Sequence, residues 1–456
     1  MTTPAAKVYI EPAFSEHDAA LRDALMTESE PALNIVCLAS YFKGADFIRE
    51  CKSRGCRVVL ITKEKMLHED WPRESLEDVI ALPNDAGPEL YIHLISLLGR
   101  QTRLDRVVAL EEFDVVVAAL VREHLCLPGM SSSAARVFRD KLAMRVKARA
   151  AGIEVPEFVS LVNHDAVREF MARTAPPWVI KPRSDVSAIG IKTAESPGDV
   201  WRTIDEFDAR ENLRERSSYY LLERFVAGEV FHVDSAVSAG QVVFAGANQY
   251  GRPPMEVAHG GGAYISYTIA HGSDDQKKLF EINRKLVKAF AMQRGATHAE
   301  FIKSAADGRF YFLEIAARVG GAYIADVLEA ASGLNLWREW AKIEISDAQP
   351  GQKPDPGVPA RAARLGWAGK GGLGTKRISP PRKEYAGIVL SLARQEYPDT
   401  SAYDDAEIVY RVKKKHHAGL IVRSAKLERV TKLLDQYARR FADDFIAVVP
   451  PLERPE

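Results

Sequence analysis

The sequence predicts a mixed architecture, α/β and α+β, and three observations predict it. From Leu33 short apolar runs alternate with helical stretches, the pattern of a parallel layer with crossover helices. That alternation breaks at "LPGM", Leu127–Met130, and strand-like runs separated by turn signals follow. Near Asp347 the chain turns rich in Pro and Gly, "SDAQPGQKPDPGVPA", which marks a boundary or linker before a last strand and helix.

Residues 1–30 read as an extension, with "SEHDAALRDALM" a short helix opened by Ser15. Residues 31–130 carry the parallel layer. Its strands are "LNIVCLAS", "CRVVLIT", "DVIAL" and "LDRVVAL". Its helices are "KGADFIRECKSRG" (ended by Gly55), "PELYIHLISLLGRQ" and "EFDVVVAALVREHL". The first strand-to-helix turn, "ASYFKGAD", has no G-x-G-x-x-G, so no dinucleotide site is supported there. One helix is expected from Ser131 to Ala151, capped by serines and stopped at Gly152. Strands "WVIKP" and "IGIKTA", a helix near "PGDVWRTIDEFDARENLRE", and strands "YYLLERFV", "VFHVDSAVS" and "QVVFAGANQY" come next. The helix "SDDQKKLFEINRKLVKAFAMQRG" leads into a hairpin, and the tail closes with strand "HAGLIVRS" and helix "KLERVTKLLDQYARRF". No repeat or low-complexity segment interrupts this order.

Composition narrows the function classes. At 456 residues the chain has length for two to four domains, and 46% hydrophobic with 27% charged residues is an ordinary soluble profile. Lys plus Arg and Asp plus Glu both total 62, and the absent basic excess argues against a general nucleic-acid binder. No apolar run is long enough for a bilayer, and the opening residues lack a secretory pattern, so a cytoplasmic protein without membrane partners is expected. Cys37, Cys51, Cys56 and Cys126 show no paired metal spacing and read as reduced thiols.

The chemistry concentrates in "THAEFIKSAADGRFYFLEIAARVGG", Thr297–Gly321. "ADG" suits a three-residue hairpin loop with Gly308 in the left-handed position. If Ala305 pairs with Arg309, Glu300 lies opposite Glu314. Alternation then puts His298, Ile302, Phe310, Phe312, Ala316 and Arg318 on the same face. Two carboxylates facing each other in an apolar setting need a counter-charge, and Mg2+ (or Mn2+), which takes oxygen ligands, is a natural one. A one-residue slip in the loop would instead put the two glutamates on opposite faces, at a solvated edge. Arg318 can hold a carboxylate or phosphate, and Gly320 and Gly321 can offer backbone N–H groups to an anion. Lys181 ends an apolar strand before a Ser/Asp/Gly loop, a layout that brings an ammonium and N–H groups to phosphates. Lys141 lies in "RDKLAMRVK", and Glu223 ends the strand "YLLERFV".

In this order and spacing, Lys141, Lys181, "LLERFVAGE" and the Glu300…Glu314-x-x-x-Arg318 hairpin resemble the ATP-grasp superfamily. The resemblance covers roughly Ser131–Ile345, and "EIAAR" is similar to its amino-acid ligase (dipeptide synthetase) branch. It implies a Rossmann-like N-terminal domain (31–130), two α+β lobes (131–218 and 219–346) and a small α+β C-terminal domain (347–456). It implies that Lys141 and Lys181 contact ATP phosphates and that Glu223, Phe225 and Val226 recognise adenine. Glu229 or His232 would reach the ribose, and Glu300 and Glu314 would bind magnesium. Arg318 and Lys181 would be the catalytic groups. Arg318, Gly320, Gly321, His298 and His259 would meet substrate. The position two after Glu314, often Asn in the family, is Ala316 here.

The expected activity is ATP-dependent ligation of a small-molecule carboxylate to an amine through an acyl phosphate. A carboxylase-like member and a non-catalytic nucleotide binder are the alternatives, and a homodimer stays open as the assembly. "AHGGGAYISYT" and Arg183–Gly190 are lid candidates. "GKGGLGTK", Gly369–Lys376, is no Walker loop, because Thr375 precedes Lys376. "RVKKKHH", Arg411–His417, is expected at a solvated strand end.

Overall fold

The computed structural model describes residues 33–185, 189–346, 378 and 380–447, and of residues 258–260 the backbone alone. These residues divide into two compact units. One runs to Ser132 and resumes at Trp337; the other comprises Ser133–Leu336 and the chain beyond Thr375. The extension, the Pro/Gly-rich linker and "GKGGLGTK" lie outside the described residues.

In the first unit the apolar runs form β1 (Asn34–Ala39), β2 (Arg57–Lys63), β3 (Asp78–Leu82) and β4 (Arg106–Ala109). They pair in parallel, in the order β3-β2-β1-β4. Helices Ala45–Ser53, Pro88–Gln101 and Val115–His124 lie between or after them, as the alternation predicts. The four cysteines are free thiols, three of them buried.

The second unit carries two antiparallel sheets. The smaller contains β5 (Phe158–Ser160), β6 (Trp178–Pro182), β7 (Lys192–Ala194) and β8 (Tyr220–Arg224), in the order β5-β8-β6-β7. Trp178, Ile180, Phe170, Phe207 and Leu222 form its core. The larger contains β9 (Gly228–Ser238), β10 (Gln241–Tyr250), β11 (Tyr264–Thr268), β12 (Gly295–Ser304), β13 (Phe310–Ala316), β14 (Tyr385–Leu392), β15 (Ile408–Arg411) and β16 (His417–Ser424). Its order is β13-β12-β9-β10-β11-β14-β16-β15, so the C-terminal α+β region extends the sheet that carries the hairpin. Helix Leu427–Asp444 packs Val430, Leu433, Leu434 and Tyr437 into a core with Val389 and Leu420.

Two expectations are corrected here. The helix expected from Ser131 to Ala151 is two helices, Ser132–Val137 and Lys141–Ala150. Asp140 breaks it: its backbone is extended and its carboxylate accepts from the N–H groups of Leu142 (3.0 Å) and Ala143 (3.3 Å). The lid candidate "AHGGGAYISYT" contains β11, which pairs with β10 and β14. "RVKKKHH" spans the exposed turn between β15 and β16.

Candidate functional site

Glu300 and Glu314 do face each other across β12 and β13, as expected, but by a different route. Ser304 N–H donates to Arg309 O at 2.9 Å, so the loop holds four residues rather than three. Up to Phe301–Phe312 the register is therefore one residue away from the expected one. An irregularity after Glu300 leaves Leu313 without a partner on β12 and restores the register at Glu300–Glu314. Gly308 is left-handed, φ 68°, as the turn requires. The expectation that Phe310 and Phe312 share the glutamate face is overturned by this bulge. Ile302 and Tyr311 pack together with Val226, Val230 and Tyr250 instead. Phe312 meets the ring of Phe290.

The hairpin forms part of the wall of a cavity of about 560 Å³ in the second unit. Lys141, Lys181, Glu223, His298, Glu300, Glu314, Arg318 and Gly321 all line it, and so do Phe225 and Val226. The Val226 N–H, in a residue 8% exposed, donates to no protein acceptor among the described residues. Much of the remaining wall is apolar or aromatic, including Val179, Met255, Ile302, Leu313, Tyr250 and Tyr264, and Asp185, Arg224 and Glu256 also line it.

Opposite charges are interleaved around this space. Glu314 Oε2 lies 2.9 Å from Lys141 Nζ, which also donates to Asp185 O at 2.7 Å. Glu223, 1% exposed, is paired on both oxygens, with Lys181 Nζ and Arg145 Nε each at 2.5 Å. Burial pushes the Glu223 carboxyl up, but Arg145 and Lys181 outweigh it and keep it below its ordinary value. Burial lowers Lys181 in spite of Glu223 beside it. Arg145 also donates to the carbonyl of Leu313, so through Glu223 it ties β8 to the bulge.

Glu300 Oε1 accepts from Tyr250 OH at 2.7 Å and lies 3.4 Å from His298 Nε2. Burial raises the Glu300 carboxyl, but the His298 hydrogen bond and charge outweigh it, so the net shift is downward. Burial likewise lowers the His298 imidazole, and Asp234, 2.9 Å from its Nδ1, overrides this and raises it to about 10. Asp234 carries a second imidazole, His232, whose Nδ1 is 2.5 Å from its other oxygen.

The structure does not bring every expected residue to the cavity. His232 is fully buried, with Nδ1 on Asp234 and Nε2 2.8 Å from Ser266 Oγ, so neither ring nitrogen is available to a ribose. Glu229 is exposed, accepts from Gln249 Nε2 at 3.0 Å and is not on the wall. Gly320 packs on Asp234 and His298 and does not line the cavity. The side chain of His259 and residues 186–188 of the loop after β6 lie outside the described residues.

Arg145, Asp234, Tyr250 and Ser266 were not anticipated. Arg145 had a signal: it stands four residues after Lys141, on the same helix face. Asp234 had one too, since His232 and Asp234 alternate with apolar residues in "VFHVDS" and so share a face.

The carboxylates of Glu300 and Glu314 on the cavity wall, with Lys141, Lys181 and Arg318 also lining it, fit a divalent ion and the phosphates it accompanies. Comparison with known proteins bears on this. Residues 174–326 match the family described as ATP-grasp domain. The L-arginine-specific L-amino acid ligase of Bacillus subtilis is 22% identical over 53% of this chain and 58% of its own length. The uncharacterized protein y4rH of Sinorhizobium fredii is 20% identical over 67% of this chain and 62% of its own. The chain thus spans about three fifths of the length of these curated relatives. Among solved structures, an L-amino acid ligase from Bacillus licheniformis superposes with TM-score 0.67 at 16% identity, over 92% of this chain and 99% of that one. The N5-carboxyaminoimidazole ribonucleotide synthetase of Thermotoga maritima superposes with TM-score 0.63 at 16% identity, over 91% and 99%. Both likenesses are of fold.

Proposed function

We propose, from the premise that this chain is a member of the ATP-grasp superfamily, that it is an ATP-dependent carboxylate–amine ligase acting on amino acids or related small acids and amines. One observation carries the reading. Glu300, Glu314, Lys141, Lys181 and Arg318 converge on a single cavity that also has apolar side chains such as Val179, Val226 and Ile302 in its wall. The relative that joins amino acids supports the substrate class.

In this reading Lys141 and Lys181 bind the phosphates of ATP. The Val226 N–H and the apolar wall around Phe225 take the adenine. Glu300 and Glu314 would hold Mg2+, which when bound offsets the phosphate charge. Arg318 binds the carboxylate of the acid and orients one of its oxygens toward the γ-phosphorus. That oxygen forms a bond to phosphorus as the bond to the ADP oxygen breaks, leaving an acyl phosphate. The amine then attacks the carbonyl carbon, phosphate leaves, and the amine loses a proton. The protein's part is placement and charge neutralisation, which accounts for most of the rate in phosphoryl transfer. The apolar wall keeps out water, which would hydrolyse the intermediate.

ADP release measured with single acids, single amines and pairs of them tests the reading. A ligase needs both for amide formation, and hydroxylamine replaces the amine to give a hydroxamate. ADP release that depends on bicarbonate, with no hydroxamate, would assign the site to carboxylation instead. No acid- or bicarbonate-dependent ADP release with any substrate would leave a nucleotide binder.

A further inference from the structure

Beneath the cavity wall runs a chain of buried polar groups that ends on Glu300 and whose inner members, Ser266, His232 and Asp234, the proposed chemistry does not use. Ser266 Oγ lies 2.8 Å from His232 Nε2, and His232 Nδ1 lies 2.5 Å from Asp234 Oδ2. Asp234 Oδ1 lies 2.9 Å from His298 Nδ1, and His298 Nε2 lies 3.4 Å from Glu300 Oε1. Ser266, His232 and Asp234 are each 0% exposed, and His298, at 8%, is where the chain surfaces. Burying a carboxylate among imidazoles is costly unless every partner is satisfied, so such a cluster persists where it fixes something.

Strand register says what it fixes. His298 is paired with Asp234 on β9 and with Ala316 on β13, and two residues along, on the same face, Glu300 is paired with Glu314. On β13 the place beside the glutamates is thus occupied by a methyl group, and the His298 ring stands across from it. Gly320 closes over the Asp–His pair. A Cβ there would lie 2.9 Å from Asp234 Oδ1 and 3.0 Å from His298 Nδ1, closer than such contacts tolerate.

We propose that Asp234 is a positioning residue. Clamped through both oxygens between His232 and His298, it fixes the His298 ring so that Nε2 steadies Glu300, and so aims Glu300 into the cavity. The proposal deepens the reading above and rests on Glu300 as one of the two cation-holding carboxylates. It assigns to the polar chain under β9 a task in binding, where a merely structural cluster would serve stability alone. Groups that orient a metal ligand in this way are typically worth about 10–100-fold in metal affinity.

The test is Mn2+ binding in the presence of ADP, read by electron paramagnetic resonance, with no turnover required. Wild type is compared with Asp234→Asn, His298→Gln and the double variant. Asp234→Asn should weaken Mn2+ binding at least about tenfold while changing metal-free ADP binding less than about twofold. Because Asp234 acts through His298, the double variant should be no weaker than His298→Gln alone. Wild-type Mn2+ affinity in Asp234→Asn, an equal loss of metal-free ADP binding, or losses that multiply in the double variant would each overturn the proposal. If Asp234→Asn does not fold, Gly320→Ala wedges a methyl against the same bond and should give the same loss; unchanged affinity there overturns it equally. A wild-type protein that binds ADP but no Mn2+ sinks the reading of Glu300 itself. Wild-type binding with insensitive variants sinks only the role given to Asp234.

Discussion

Asp114, in the parallel unit, and Glu223, beside the cavity, are carboxylates of nearly equal burial, 2% and 1% exposed. Their protonation moves in opposite directions. Asp114 accepts from Ser40 N–H at 2.7 Å and Ser40 OH at 2.6 Å, but burial outweighs these dipoles and raises its carboxyl to about 6. Glu223 meets two full cations at 2.5 Å and stays below its ordinary value. Burial alone therefore does not decide a carboxylate's protonation; full counter-charges beside it do. Asp114 pins the turn after β1, whereas Glu223 pairs with Lys181 and Arg145 at the cavity wall.

The contrast breaks most severely at the cavity. Glu314→Gln should lower ADP formation at least about a hundredfold, since a metal ligand supplies several kcal/mol of charge stabilisation. Its melting curve should match wild type, because the Glu314 side chain is one-third exposed; unchanged turnover would remove the glutamate from the site. Arg145→Met comes next. It leaves Glu223 with one cation and the Leu313 carbonyl without its donor, and should cost about 3–5 kcal/mol in urea unfolding. A loss below about 1 kcal/mol would show that Lys181 alone suffices for Glu223.

Ser40→Ala sharpens the other side. Removing the hydroxyl from Asp114 should cost about 1–2 kcal/mol and push that carboxyl further up, read by unfolding and by NMR titration. The smallest effect is a slope. Asp114 is raised from 3.8 to about 6, so between those values the folded state keeps a proton that the unfolded chain has released. Stability therefore falls as pH rises through that window. Asp114→Asn should flatten this part of the stability–pH curve, and a slope unchanged by the substitution would reassign it to another group. Glu223, held low, contributes stability above its unfolded value near 4.5 that is lost as pH falls through its folded value.

What the sequence made legible follows from how local each signal is. The parallel layer was readable because its strands and helices are punctuated in place, as at Gly55, and need no distant partner to be recognised. The break at Asp140 was missed because serines upstream offered an equally good cap. β11 was missed because three glycines precede it in "AHGGGAYISYT" and read as a loop. The Glu300–Glu314 pair was reached through two offsets that cancel, a longer loop and the Leu313 bulge, and neither leaves a clear mark in the residues. The Asp234 chain shows why the rest was not readable. "VFHVDS" shows two polar residues on one strand face, but not that His298, 64 residues on, lies against them. Glu223 and Arg145 likewise meet across 78 residues and two elements. Side chains whose partners come from other strands become visible only once the sheet order is known.

Anomalous scattering from Mn2+ in crystals grown with a non-hydrolysable ATP analogue tests the central claim most directly. The account predicts one peak or more bounded by the carboxylates of Glu300 and Glu314 and by phosphate oxygens, at oxygen–metal distances of roughly 2.0–2.3 Å. A nucleotide seated in the cavity with the manganese signal elsewhere, or with either glutamate turned from the phosphates, would contradict it.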